Sequence, residues 1–501
     1  MKKDENIYDV VVVGAGNAAL CAAISARENG ANVLVLEKGP KHKRGGNSFF
    51  TDGAIRFAYK NKEALSEFIP ELQGEEGEKI DIPVYDDKDF YNDLMEVTKG
   101  KSDPKLASRL VSNSLETIKW MNKNGVEFEL NENQFFNNDG KKQFWGGLPV
   151  KTNRKGIGLI EKLIDKAESL GIDILYEAYA AKLHNETGGK ITGLTVKEKG
   201  KTEYTITANS VILACGGFEA NKEKRMKHLG NQWEYAVVRG TEYNTGDGIQ
   251  MAFAVGAQPR GQWEGCHAHT TDYHAPKVGD FNKPGDIYKK SSYPLGLIVN
   301  KNGKRFVDEG ADFRNYTYAK YGKETLNQPD QLAYQLFDSQ VRPLLRKEYD
   351  LEEATCIKAD TLEELAEKIE INKEEFLKTI KDYNDGVNEG EYNPSIKDGK
   401  STIGVTPPKT NWALRFEQGP FYAYPVTCGI TFTFGALHVN EFSEVLNEQG
   451  SPIRGLFAAG EMVGGLFYHN YPGGSGLMSG AVFGKIAGES AAFYTRNVTY
   501  F

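Results

Sequence analysis

Residues 7–13 run Ile-Tyr-Asp-Val-Val-Val-Val with almost no polar interruption. That is the pattern of a parallel strand covered on both faces. Gly14-Ala15-Gly16-Asn17-Ala18-Ala19 follows and opens an alanine-rich helical stretch, then Val33–Leu36 supplies a second apolar strand and Glu37 closes it. The spacing fits G-x-G-x-x-G/A: Gly14 permits the tight turn, Gly16 lets backbone N–H groups approach a pyrophosphate, and small Ala19 lets helix and strand pack closely. Glu37 stands where an acid takes a ribose hydroxyl. The unit predicts a dinucleotide grip.

Beyond it, residues 60–103 are polar and mixed, with an acidic stretch at 71–78, and predict surface loop and helix. Leu106, Leu110, Ser114, Ile118 and Met121 repeat at helical spacing up to the stop at Asn124-Gly125, and residues 158–170 repeat the pattern before Gly171. Residues 151–154 between them predict a loop. Strands are predicted at 172–176, 180–184, 191–197 and 203–208, an antiparallel meander with turns at Gly188-Gly189 and Gly200. Residues 210–214 predict a separate buried parallel strand ending in Cys215-Gly216-Gly217. Asn244-Thr245-Gly246-Asp247-Gly248 then leads into a helix to Val255.

From Gly261 to about Gly419 the composition shifts to Tyr, His, Lys and Pro, with helical acidic stretches at 361–369 and 373–383 and no buried parallel strand. This predicts an inserted domain over 259–419, between two parts of a nucleotide-binding domain at 1–258 and 420–501. The final part returns to the pattern of the first, with a strand at 456–459, Gly460-Glu461, a glycine turn at 472–476 and a helix over 477–494. The expected class is α/β, a Rossmann-like domain carrying an α+β insertion. No internal repeat stands out.

Composition narrows the function. The 501 residues carry a net charge of −8 and a pI near 5.7, which supplies no field for nucleic acid. Cys21, Cys215, Cys266, Cys356 and Cys428 form no C-x-x-C pair, zinc-ribbon spacing or haem attachment motif, as fits a reducing compartment. Residues 1–6 enter the first strand without the apolar core of a signal peptide, and no segment reads as membrane-spanning, so a cytoplasmic protein is expected.

The segments Gly14 to Ala19, Gly45-Gly46-Asn47-Ser48, Ala214-Cys215-Gly216-Gly217, Thr245-Gly246-Asp247-Gly248 and Ala459-Gly460-Glu461, in that order, resemble the flavoprotein family of fumarate reductase and succinate dehydrogenase. The resemblance spans nearly the whole chain. It implies one FAD, with the insertion as a mobile capping domain over the flavin. The residues expected to hold FAD are Gly14, Gly16, Asn17, Ala18, Glu37, Lys38, Gly45, Gly46, Asn47, Ser48 and Gly53 in the first part. Further along they are Ala180, Ala214, Gly216, Gly217, Asp247, Gly460, Glu461, Ser475, Gly476 and Leu477. A helix starting near Gly476-Leu477 aims free N–H groups and a positive dipole end at the flavin pyrimidine ring. Asp247 and Glu461 suit ribityl or ribose hydroxyls, or serve as helix caps. Family members with covalent flavin use a histidine where this chain has Asn47, which implies non-covalent FAD.

Within the family, Trp263 to Ala268, Asp308 to Asn315, Tyr424 to Gly429 and Asn470 to Gly476 look most like the tricarballylate dehydrogenases, which oxidise a tricarboxylate to cis-aconitate. Such chemistry needs a base for one hydrogen while flavin takes the other as hydride, and cations for the carboxylates. The resemblance assigns the proton to Arg314, with Asp308, Glu309 or Asp312 as a relay, and a substrate carboxylate to His267. Where fumarate reductases carry a second carboxylate-binding histidine this chain has Thr431-Phe432-Thr433-Phe434, and where they carry a second arginine it has Tyr471. Tyr471, Thr433 and Tyr468 are therefore expected to donate hydrogen bonds to the substrate, with Lys289 or Lys290 meeting a third carboxylate or lying in solvent. Cys266, His267, His269 and His274 also cluster, but at no standard metal-site spacing.

The expected activity is FAD-dependent oxidation of a CH–CH bond beside carboxylates in tricarballylate or a similar polycarboxylate. A fumarate-reductase-like or ketosteroid-dehydrogenase-like redox enzyme is the first rival, the latter suggested by Phe432, Phe434, Tyr468 and Tyr471. A flavin electron-transfer or precursor-binding subunit is the second. The resemblance implies an external electron acceptor, in relatives a membrane iron–sulfur and haem protein, and hence a peripheral association with the membrane.

Overall fold

The computed structural model describes residues 7–138, 140–144, 146–283 and 285–498, so the leader expectation at residues 1–6 lies outside the described residues. The first strand (Ile7–Val13) lies at the heart of an eight-stranded sheet, flanked on one side by Val33–Leu36 and Asp173–Leu175 and on the other by Tyr204–Leu213. Val13 is in parallel register with Leu36 and Leu213, and Leu213 with Ala458 at the end of Pro452–Ala458. Four strands thus finish at one edge, and Gly14, Glu37, Ala214 and Ala459 follow their last residues. A ligand in an open α/β sheet binds at this carboxyl edge.

The meander differs from expectation in one respect. Tyr204–Leu213 is a single strand, antiparallel to Ile191–Glu198 through its first half and parallel to Ile7–Val13 through its second. Its side chains alternate in burial up to Ala208 and are buried throughout from Ser210, so one strand passes from a half-covered ribbon into a sheet covered on both faces and presents two patterns.

The helix Asn17–Glu28 packs against the last helix, Ser475–Val498. Contact is backbone-close: a Cβ at Gly484 would fall 2.4 Å from the Ala18 carbonyl oxygen, and one at Gly488 2.3 Å from that of Ala22. Alanines on one helix and glycines on the other are the reason both can cover the same sheet.

The second sheet is built on Phe421–Leu437, a strand of 17 residues. It pairs antiparallel with Pro259–Asp272, Ala333–Phe337 and Ile357–Ala359, and parallel with Val237–Val238. The second sheet therefore draws on residues from both sides of the expected boundaries at 259 and 420. Residues 60–103 are more ordered than their polarity predicts: Asp87–Val97 is a helix with a full capping box from Asp86 and Asp89, and it buries Phe90 and Leu94 beside Phe57, Tyr59 and Phe68.

Candidate active site

A cavity of about 680 Å³ runs from the carboxyl edge of the first sheet to the second. At its nucleotide end, Gly14, Gly16, Asn17 and Ala18 line the wall. The helix that starts at Asn17 has no side chain of its own as cap and no acid in its first turn; Asn17 N donates to Ser48 Oγ at 3.2 Å, and the N–H groups that follow are left for an anion. Space is available for one: a Cβ on Gly16 would have no neighbour nearer than 3.6 Å, and one on Gly46 none nearer than 3.9 Å. The residues fit a dinucleotide pyrophosphate. The buried Glu37 carboxylate accepts from Ala15 N at 3.0 Å and Gly39 N at 2.6 Å, and burial pushes its pKa up to about 7. Lys38 Nζ reaches Asp247 Oδ2 and Thr245 Oγ1, both at 2.8 Å, beside Tyr179 and Ala180. Asp247 thus stands at the same end as Glu37.

Midway, Ser48, Ala214, Gly216, Gly460, Gly476 and Leu477 border the cavity. Asn47 donates to Glu219 Oε1 at 2.6 Å and to the Thr431 carbonyl at 2.8 Å, while its own oxygen accepts from Thr241 N. Glu461 Oε1 accepts from Thr433 N at 2.6 Å and Thr433 Oγ1 at 3.0 Å. This departs from expectation: Thr433 stands behind the wall and holds Glu461, whereas Thr431 and Phe432 line the cavity. Gly45, Gly53, Gly217 and Ser475 also stand behind it. Gly45 and Gly53 take φ of +103° and +83°, a Cβ on Gly217 would strike Glu461 and Thr433 at 2.1 Å, and Ser475 Oγ donates to the Pro472 carbonyl. These four shape backbone.

At the far end the His267 and Tyr471 rings stack, 4.6 Å between centroids and 13° between planes, with Tyr318 edge-on to His267 at 4.9 Å and Phe432 edge-on to Tyr471 at 5.6 Å. His267 and His269 share one face of the strand Pro259–Asp272, two residues apart. Both His267 ring nitrogens and His269 Nε2 are buried with no protein hydrogen-bond partner, the mark of groups facing a ligand. Burial, followed by the nearby Arg239 charge, holds both imidazoles well below the ordinary range, so they are neutral. Arg314 opens the helix Arg314–Leu326 and lines the cavity; burial first, then the Arg346 charge, lowers its pKa to about 10. Lys289 also lines it, beside Asp52, and is lowered by burial to about 8.

The carboxylates expected to relay Arg314's proton are engaged elsewhere. Asp308 accepts from Gly310 N and Thr410 N, Glu309 is buried against Arg305 and Ile298 N, and Asp312 lies 3.4 Å from Lys397. Glu348 is the carboxylate whose charge acts on Arg314; it lies 3.5 Å from Arg346 Nε and accepts from Ser291. Lys290 is fully buried 3.6 Å from Asp272, which leaves Lys289 as the cavity cation of the pair. Tyr468 lies outside the lining. Among the described residues no group of three His, Cys, Asp or Glu side chains is placed to hold a metal ion.

Arg239, paired with Asp286 at 3.0 Å, and Tyr318, Arg346 and Glu348 all line this end, and sequence reasoning missed them. No motif surrounds them. Only the unbroken Val237-Val238 before Arg239 and the helical step from Arg314 to Tyr318 hint at a shared face.

A family model described as an FAD binding domain matches residues 9–477. A probable fumarate reductase, Ifc3, of Shewanella frigidimarina is 30% identical over 96% of this chain and 74% of its own. The chain belongs to this FAD-binding family of fumarate reductase flavoproteins. A vinyl phenol reductase of Lactiplantibacillus plantarum is 28% identical over 97% of both chains. The open conformation of a flavocytochrome c3 fumarate reductase superposes with a TM-score of 0.75 at 28% identity, over 98% of this chain and 79% of that one. As a member of the family, the protein is an FAD-dependent redox enzyme. Among the described residues no helix is long and apolar enough to cross a membrane.

Proposed function

We propose that the enzyme transfers hydrogen across a carbon–carbon bond next to a carboxylate, interconverting an enoate and its saturated acid. The observation that carries this is the far end of the cavity, where Arg314, with its lowered pKa, stands with neutral His267 and His269, whose buried ring nitrogens have no protein partner. Bound FAD supplies the hydride acceptor or donor. Arg314 carries the proton, with Glu348 as its relay: a guanidinium pKa near 10 makes proton loss far less costly than in solvent. His267 and Tyr471 hold the substrate carboxylate by hydrogen bonds, and their stacked rings fix its plane. Arg346 and Lys289 attract further negative charge.

Reduction is the favoured direction, because the relatives include a urocanate reductase of Eggerthella lenta and an NADH:acrylate oxidoreductase of Vibrio harveyi, the latter matched over only half its length. A more specific reading takes tricarballylate and cis-aconitate as the substrate pair, with Arg346 and Lys289 receiving the third carboxylate. A ketosteroid is disfavoured by this many cations, and the ketosteroid dehydrogenase structures, at 23% and 20% identity, speak to the fold alone. The segment 259–419 serves as a cap over the flavin. Asn47, with every polar atom engaged and no nucleophile, supports non-covalent FAD. Electrons are exchanged with an external partner, of the cytochrome or quinone kind that relatives' names imply; a membrane iron–sulfur and haem protein is the specific candidate.

Anaerobic stopped-flow tests the reading. Dithionite-reduced enzyme is mixed with fumarate, acrylate, urocanate and cis-aconitate, and oxidised enzyme with succinate, tricarballylate and a 3-ketosteroid. Reoxidation of the flavin by at least one enoate is expected; response to the ketosteroid alone would sink the carboxylate reading.

A further inference from the structure

At the cavity wall, Glu461 and, behind it, Glu219 bring two carboxyl groups together in the protein interior. Glu219 is fully buried, and its Oε1 accepts from two amides, Asn47 Nδ2 and Asn244 Nδ2, both at 2.6 Å. Its Oε2 is buried with no donor at all, and the Glu219 and Glu461 carboxyls lie within hydrogen-bonding reach of each other. Glu461 in turn takes both Thr433 donors on Oε1. Ionised carboxylates only accept hydrogen bonds, so two in contact leave a gap that one shared proton fills. Two negative charges at this distance in a low dielectric cannot both persist.

We propose that Glu219 and Glu461 hold one proton between them in the resting enzyme and take up a second when the bound flavin is reduced, forming a proton store coupled to its redox state. Glu461 lines the cofactor cavity and Glu219 acts through it, as a positioning residue. The balance is direct. Two-electron reduction of FAD to its anionic form binds one proton on the cofactor; the new negative charge in the cavity favours a second proton, drawn from solvent, on the acid pair. The reductant is the substrate, the external electron donor or, in a titration, dithionite. Burial raises the Glu219 carboxyl, and burial followed by the Glu219 charge raises Glu461 well above the ordinary range. The other ionisable groups that face them do not compete. Arg225 donates to Glu219's own backbone carbonyl and stays charged, and burial pushes Cys266 and Tyr471 so far up that both remain neutral.

The test is a spectroelectrochemical titration of the FAD-loaded protein between pH 6 and 8, without substrate, so that its result is independent of the substrate reading. One proton per two electrons lowers the midpoint potential by about 30 mV per pH unit, and two protons by about 59 mV. The wild type is expected to follow the steeper slope and E219Q, which keeps the amide partners but cannot titrate, the shallower one. Infrared difference spectra of the oxidised protein in H2O and D2O are expected to show a protonated carboxyl band that E219Q and E461Q each remove. A wild-type slope of about 30 mV overturns the proposal however the variants fold, as does the absence of the carboxyl band in the wild type.

Discussion

At the scale of single residues the chemistry rests on charges moved out of water. Removing Arg314 takes away the group proposed to carry the proton but no part of the nucleotide cradle. Arg314→Ala is therefore expected to bind FAD with an unchanged flavin spectrum and lose about 10²- to 10⁴-fold in kcat, the range for a positioned acid or base; unchanged turnover would remove Arg314 from the mechanism. The lowered pKa gives the pH dependence a sign. On the proposed mechanism enoate reduction needs the protonated guanidinium, so kcat/KM is expected to be flat with respect to this group at neutral pH and to fall as pH rises through about 10. Oxidation needs the deprotonated form and rises with pH up to the same point. Initial rates in both directions across that range check it. Residues at this end show what the sequence exposes and what it conceals. His267, Arg314 and Tyr471 were legible because they sit in motifs; Arg239 follows a short strand, whereas Arg346 and Glu348 lie at a short helical turn far along the chain, and no local pattern announces a contact made by folding.

At the scale of elements, the first strand, its glycine turn and the first helix were legible almost to the residue, since a strand covered on both faces and a helix against glycines leave strict patterns. The two longest strands, Pro259–Asp272 and Phe421–Leu437, were not, because their pairing is interrupted by bulges between Gln262 and Cys266 and between His267 and Ala268, which break any period of two. The first of these also separates the exposed start of the strand from the buried stretch that carries His267 and His269. The glycines of the last helix yield a sharper expectation. A Cβ on Gly484 would meet the Ala18 carbonyl oxygen at a distance no Cβ tolerates, and that carbonyl belongs to the helix whose N-terminus is expected to cradle the pyrophosphate. Gly484→Ala, although it raises helix propensity, is expected to destabilise the protein by about 1–3 kcal/mol through overpacking. Differential scanning fluorimetry with and without added FAD checks it: the loss is expected in both, and a stabilised variant would show that the two helices have room to part.

At the scale of the whole molecule, a chain of net charge −8 has gathered Arg239, Arg314, Arg346 and Lys289 at one end of one cavity. The overall charge repels an anionic substrate at long range, where salt screens it, with a Debye length of about 8 Å at physiological ionic strength. The cavity attracts it at short range, where low-dielectric walls keep the field strong. Binding of carboxylates is thus governed by the local cations, and each added carboxylate should gain most from those least tied to protein acids. Arg239 is committed to Asp286 and Lys289 meets Asp52, whereas Arg346 lies 3.5 Å from Glu348, a looser pairing that leaves its guanidinium more to offer. Arg346→Leu is accordingly expected to raise KM at least tenfold, about 1.4 kcal/mol, for the di- and tricarboxylates fumarate and cis-aconitate while leaving that for the monocarboxylate acrylate within about twofold. The flavin spectrum and the melting temperature should stay close to wild type, because Arg346 touches no part of the nucleotide cradle. Steady-state kinetics with the three acids separate the outcomes: an equal rise for all of them would place Arg346 at the reacting carboxylate, and no rise for any would remove it from substrate binding and leave Lys289 to carry the additional charge.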